Sequence, residues 1–227
     1  MVQGKVLHLH TNMMIIKTFE VNPLQENCYV VSDETQDCVI IDCGAYYDAE
    51  RQAIVNYIRD NQLNPTHLLC THGHFDHNFG NDTIYHTFGL KPEIHADDAS
   101  MISDLTKQCE QMGLGLSFNK PSPPVGHHLE DGEDIVFGTH ILKVIHTPGH
   151  SKGGVVLYCE AEKTLFTGDT LFRMSVGRTD LPGGSWGELM DSLEEKIATL
   201  PKDTTAYPGH GPKTLLSEEF SMNPYFH

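Results

Sequence analysis

The stretch THGHFDHNFGN, Thr71 to Asn81, packs three histidines and an aspartate into six consecutive positions, His72 to His77, directly after the apolar run HLLC. The apolar run reads as a buried strand that delivers the chain to a loop rich in metal-seeking groups. Three further segments repeat the arrangement, each a β-rich run ending on a ligand-type residue beside glycine. They are HTPGHSKGG with His150, FTGDTLF with Asp169 and PGHGP with His210. Glycine lets the backbone turn sharply and lets a bulky centre approach. Strand ends are rigid enough to hold ligands to the tolerance a metal requires. In a tight loop His72 and His74 point to one side and Asp76 and His77 to another. One ion then takes His72, His74 and His150, and a second takes Asp76, His77 and His210. Asp169 has two carboxylate oxygens and bridges the pair. Imidazole and carboxylate without thiolate suit two divalent ions, Zn being the first expectation and Fe or Mn the alternatives. Positions left open to water mark such a centre as catalytic rather than structural. Of the 15 histidines, His67, His86, His95, His127, His128, His140, His146 and His227 read as ordinary surface or core residues. His8 and His10, in a polar tail, read as incidental.

Length and charge bound what can surround this centre. At 227 residues the chain makes one large domain or two small ones, and a hydrophobic fraction of 39% describes an ordinary globular core. No apolar run approaches the roughly 18 residues of a membrane span. The opening MVQGKVLHLHTN lacks the apolar stretch and small-residue cleavage site of a signal peptide, so a cytoplasmic protein is expected. The formal net charge of −16 repels phosphate backbones and anionic lipid, which argues against nucleic-acid and membrane partners. The six cysteines contain no CxxC pair and read as buried thiols of a reducing compartment. Oligomeric state is not legible.

Along the chain, MIIKTFEV from Met14 looks like a natural start, leaving residues 1–13 as an N-terminal extension to a domain spanning 14–227. Strands are expected at 14–21, 27–32 and 38–44. The segment 48–62 switches to helical period, with Asp48 as N-cap, one ridge of Ala49, Ala53 and Tyr57, and a neighbouring ridge of Ile54 and Ile58. A second helix is expected over 97–113, ending on Gly113. A proline-rich loop follows at 118–128. Four more strands, a helix at 186–200 and a last strand into PGH complete the pattern.

The succession HxHxDH, TPGHS, GD and PGH resembles the metallo-β-lactamase-fold superfamily over nearly the whole chain from Met14. The resemblance implies an α/β architecture, a four-layered αβ/βα sandwich in a single domain with the metals at one edge. NPLQENCYVV, GDTLFRMSVGRTD and PGHGP followed by NPY resemble the small glyoxalase II-like, or hydroxyacylglutathione hydrolase-like, proteins. The C-terminal helical domain of classical glyoxalase II is not expected here. Asp42, in IDCG, matches a family position near the metal loop and is read either as an acceptor that orients a histidine or as a turn cap after a strand. The implied activity is hydrolysis of a small-molecule thioester, such as an S-2-hydroxyacylglutathione. Two cations lower the pKa of a shared water to about 7, and the resulting hydroxide attacks the carbonyl. Asp76 and Asp169 carry the catalytic roles in that scheme. Arg173, Arg178 and Lys152 flank the metal loops as anchors for an anionic thiol carrier. The rival is a mono-iron persulfide dioxygenase using His72, His150 and Asp169, which GRTD at 177–180 also resembles. A β-lactamase is disfavoured because Asp169 is bulkier and more anionic than the residue such enzymes place there.

Overall fold

The computed structural model describes residues 13–226 except Leu114, Ser117 and Asn119. His8, His10 and most of the expected extension fall outside that span, as does His227. Strands β1 (Ile15–Val21), β2 (Glu26–Ser32), β3 (Asp37–Ile41), β4 (Asn64–Leu69), β5 (Pro92–His95) and β6 (His127–Leu129) form one sheet in sequence order. The first two pairings are antiparallel and the remaining three parallel. The second sheet takes β7 (Asp134–Phe137), β8 (His140–His146), β9 (Val155–Cys159) and β10 (Thr164–Gly168). A short ribbon, β11 (Leu171–Phe172) with β12 (Ser175–Val176), leads out of it, and β13 (Thr205–Pro208) and β14 (Thr214–Leu215) complete it. Its order is β14-β13-β10-β9-β8-β7, with β10 and β13 parallel.

The strands explain the layering. In β2 and β3, Tyr29, Val31, Val39 and Ile41 face the other sheet, where they meet Leu142, Val144, Leu157 and Phe166. The alternate residues Cys28, Val30, Cys38 and Ile40 face a helical layer. On the far side Val156, Leu165 and Ala206 face another. Strands buried on both faces are near-continuously apolar rather than alternating. Each large aliphatic so enclosed is worth roughly 1.5–3 kcal/mol. The result is the expected four-layered α/β/β/α sandwich.

The helices are α1 (Asp48–Asp60), α2 (Asn81–Phe88), α3 (Leu105–Met112), α4 (Trp186–Glu195) and α5 (Leu216–Met222). On α1 the Ile54–Ile58 ridge is the buried one. Its N-cap is Tyr47 rather than Asp48, because Glu50 reaches back to accept the backbone N–H groups of Tyr46 and Tyr47. The single helix expected over 97–113 is instead a turn, a 3₁₀ turn at Met101–Ser103 and then α3, which Asp104 caps at its start and Gly113 (φ 63°) at its end. The interruption has a cause: the Asp98 side chain is fully buried and pinned to three distant groups, so its backbone cannot enter a helix whose polar face meets water. Two helices, α2 and α5, were not expected at all. Among the described residues no helix is long and apolar enough to cross a membrane. All six cysteines are buried and free of disulfides.

Candidate metal centre

The loop after β4 turns at once. Asp42, just past β3, holds a left-handed backbone (φ 51°) and accepts hydrogen bonds from Thr71 N at 2.7 Å and Thr71 Oγ1 at 2.6 Å. That conformation is uncommon for a residue with a side chain and persists where surrounding bonds impose it. A 3₁₀ turn at Phe75–His77 then separates His72 and His74 from Asp76 and His77. From the second sheet, His150 arrives after β8, Asp169 directly after β10, and His210 after β13.

The structure brings all seven residues together. Ligand atoms of His72, His74 and His150 lie within 4.8 Å of one another, as do those of Asp76, His77 and His210. Asp169 reaches both groups: Oδ1 is 3.3 Å from His77 Nε2, and Oδ2 is 3.5 Å from His150 Nε2 and 3.7 Å from His210 Nε2. The outer nitrogens are tied. His77 Nδ1 donates to Asp42 Oδ2 at 3.0 Å, His150 Nδ1 to the Arg178 carbonyl at 2.7 Å and His210 Nδ1 to the Leu24 carbonyl at 3.0 Å. Each bond occupies Nδ1 and turns Nε2 inward, the orientation a ligating imidazole needs. Asp42 thus accepts from His77 as well as from Thr71, a geometry that fits both the orienting and the turn-cap readings.

Electrostatics follow from enclosure. Burial drives His72 well below its ordinary pKa, with His77 and His150 adding to the effect, and His74 falls to about 4 for the same reasons. Burial opposes the charge on Asp76 and Asp169, yet the facing imidazoles, His77 foremost, hold both below the ordinary carboxylate range. Conversely His77 and His210 are raised against burial by the carboxylates around them. His72 Nε2 and Asp169 Oδ1 are buried with no hydrogen-bond partner. An orphaned buried polar atom costs about 1–3 kcal/mol. Two such atoms, facing convergent nitrogens and carboxylates, are the donor set that a pair of divalent cations would satisfy.

A model of the metallo-beta-lactamase superfamily matches residues 21–210. The chain belongs to that superfamily. It is 33% identical to a probable metallo-hydrolase, YqgX of Bacillus subtilis, over 90% of this chain and 94% of that protein. It is 31% identical to hydroxyacylglutathione hydrolase GloC of Haemophilus influenzae, over 93% of this chain and 98% of that protein. Among solved structures, BLEG-1, a B3 metallo-beta-lactamase, superposes with a TM-score of 0.83 at 34% identity, covering 93% of this chain and 99% of that one. TTHA1623 in a di-iron-bound form gives 0.80 at 35% identity, covering 92% and 99%. ETHE1 from Myxococcus xanthus gives 0.75 at 25%, covering 92% and 83%.

Around this metallo-beta-lactamase-superfamily centre sit residues that the sequence reading missed. Asp98 accepts from Gly73 N (2.9 Å), Ser151 Oγ (2.6 Å) and Gly153 N (2.7 Å), clamping the His72–His74 loop to the His150 turn. Asn22 Nδ2 donates to the Asp76 and Gly44 carbonyls. Glu26 is fully buried behind His77, 3.9 Å from its Nδ1, and burial pushes its carboxyl well up. Gly209 leaves no room for a side chain: a Cβ there would overlap Asp169 Oδ1 and press on His77. The centre opens into a cavity of about 500 Å³ walled by Leu24, Phe75, Met112, Phe172 and Leu181. Of the three expected anchors only Arg178 lines it, and its guanidinium is already forked onto Asp180 by two 2.7 Å bonds. Arg173 and Lys152 are not among its lining residues. Near the C-terminus Tyr225 packs edge-on against Trp186 and is not among the residues lining the cavity.

Proposed function

We propose that the chain is a binuclear metal-dependent hydrolase of thioesters, with S-2-hydroxyacylglutathione-type conjugates as the leading substrate class. The observation that supports this best is the pair of three-residue clusters sharing Asp169 at the floor of one apolar-walled cavity. Similarity to GloC supports the substrate class. Two divalent ions bound there supply Lewis acidity toward a carbonyl oxygen and a water of lowered pKa.

The remaining work belongs to the chain. His72, His74 and His150 would hold one ion, Asp76, His77 and His210 the other, and Asp169 both. Asp42, the Arg178 carbonyl and the Leu24 carbonyl fix three imidazoles so that each presents the same nitrogen inward. Asp76 lines the cavity with its Oδ2 3.3 Å from His210 Nε2 and is placed to accept a hydrogen bond from a water beside it, orienting that water. Leu24, Phe75 and Met112 shed solvent from the reacting carbonyl. A thiolate is a fair leaving group and needs no strong general acid, which suits a cavity whose one arginine is already paired. Hydrolysis of a thioester panel that includes lactoylglutathione, with ions counted on the same sample, tests the reading. Turnover requiring two ions per chain is expected, and Asp169→Ala should lose ions and turnover together. Full activity in that variant refutes the assignment.

A second reading is favoured by one contact. The loop at 177–180, whose GRTD sequence carries the dioxygenase resemblance, touches the centre through the His150–Arg178 hydrogen bond. A mono-iron persulfide dioxygenase on His72, His150 and Asp169 would consume O₂ with one iron per chain, and that result would replace the hydrolase. Similarity to BLEG-1 adds a β-lactam to the same panel.

A further inference from the structure

His95 and His146 read as ordinary histidines in the sequence, yet the fold brings them together. They are the last residues of β5 and β8, which belong to different sheets. Their rings stack with centroids 4.2 Å apart and planes within 8°. Asp97 joins them, its Oδ2 lying 3.8 Å from His95 Nδ1. One ligand atom from each of the three falls within 4.8 Å of the others. His146 Nε2 donates to the Lys152 carbonyl at 2.8 Å. That bond leaves Nδ1 with its lone pair, the way a ligating imidazole is usually oriented. Burial, and then the neighbouring His146, hold His95 below its ordinary pKa, which keeps its ring neutral and able to ligate near pH 7.

We propose that His95, Asp97 and His146 form a further divalent-cation site, separate from the seven-residue centre and suited to Zn. Two imidazoles and one carboxylate without thiolate are a donor set for such an ion. The Asp97 side chain is 58% exposed, so water can complete the shell. An ion there joins the two sheets where β5 and β8 end. It also sits one residue from Asp98, whose carboxylate clamps Gly73, Ser151 and Gly153. Occupancy would therefore brace the loops of the main centre without touching substrate, whatever reaction that centre performs.

The test is equilibrium dialysis of the full chain against Zn²⁺, with Zn and protein counted on the same sample. It compares wild type with Asp97→Asn and with the double variant His95→Gln, Asp97→Asn. The expected result is one Zn fewer per chain in both variants, with unchanged far-ultraviolet circular dichroism. Because Asp97 is exposed, its variant folds even if the double variant does not. Equal Zn in wild type and Asp97→Asn overturns the proposal.

Discussion

Asp98 ties Gly73, Ser151 and Gly153 through one carboxylate, so the loop that carries His72 and His74 cannot move independently of the turn that carries His150. Asp98→Ala strands three buried donors, each worth about 1–3 kcal/mol. Urea unfolding should show a loss of several kcal/mol, and the surviving folded protein should retain fewer ions. Gly209→Ala acts differently: the added methyl displaces Asp169 Oδ1 while leaving both sheets intact. Metal content should collapse while circular dichroism stays unchanged. The seven candidate ligands that the fold brings together were legible because each lies in a short local pattern, a histidine or aspartate near glycine at the end of an apolar run. Asp98 and Asn22 were not, because their partners lie far off in the chain and nothing local separates Asp98 from Asp97. Of the expected cationic anchors, Arg178 lines the cavity with its guanidinium paired to Asp180, two residues along the chain.

At the scale of elements, strong periodicity was readable and weak periodicity was not. The Ile54–Ile58 ridge of α1 packs as expected, and Ile54→Ala should cost about 2–5 kcal/mol in thermal or urea unfolding. Arg51 on the same helix is buried too, paired with Asp82 of α2 at 2.6 Å. That pairing is invisible unless α2 is recognised, and NDTIYHTF carries enough β-branched and aromatic residues to conceal a helix. The 97–113 segment failed because tertiary demand on Asp98 overrode local preference. On α4, Ser185 caps the first turn by accepting from Glu188 N, so Ser185→Ala should cost about 1 kcal/mol, measurable as a lowered Tm.

For the whole molecule, two-sided burial of the strands fixed the layers, and the sandwich was legible because its apolar runs are short and unbroken. Its acid stability rests partly on Asp33. Burial alone would raise that carboxyl, but bonds from Thr139, Thr35 and His140 outweigh it and hold the group well below the ordinary range. A depressed carboxyl contributes stability above its unfolded pKa. That contribution is lost as the pH falls below about 4 toward the folded value. Asp33→Asn should therefore flatten the acid limb of a stability–pH curve measured by urea unfolding. Removing ions with a chelator should lower Tm and re-addition should restore it, because a ligand bound only by the native state stabilises it by mass action.

Every strand of the first sheet precedes the turn at 130–133, and every strand of the second follows it. A chain severed at that turn would give two fragments, one bearing His72, His74, Asp76 and His77, the other His150, Asp169 and His210. Each would carry half a coordination sphere and one naked sheet. Complementation between such halves should then be gated by free divalent metal ion, making the severed protein a reporter of the ion rather than a ruin of the fold.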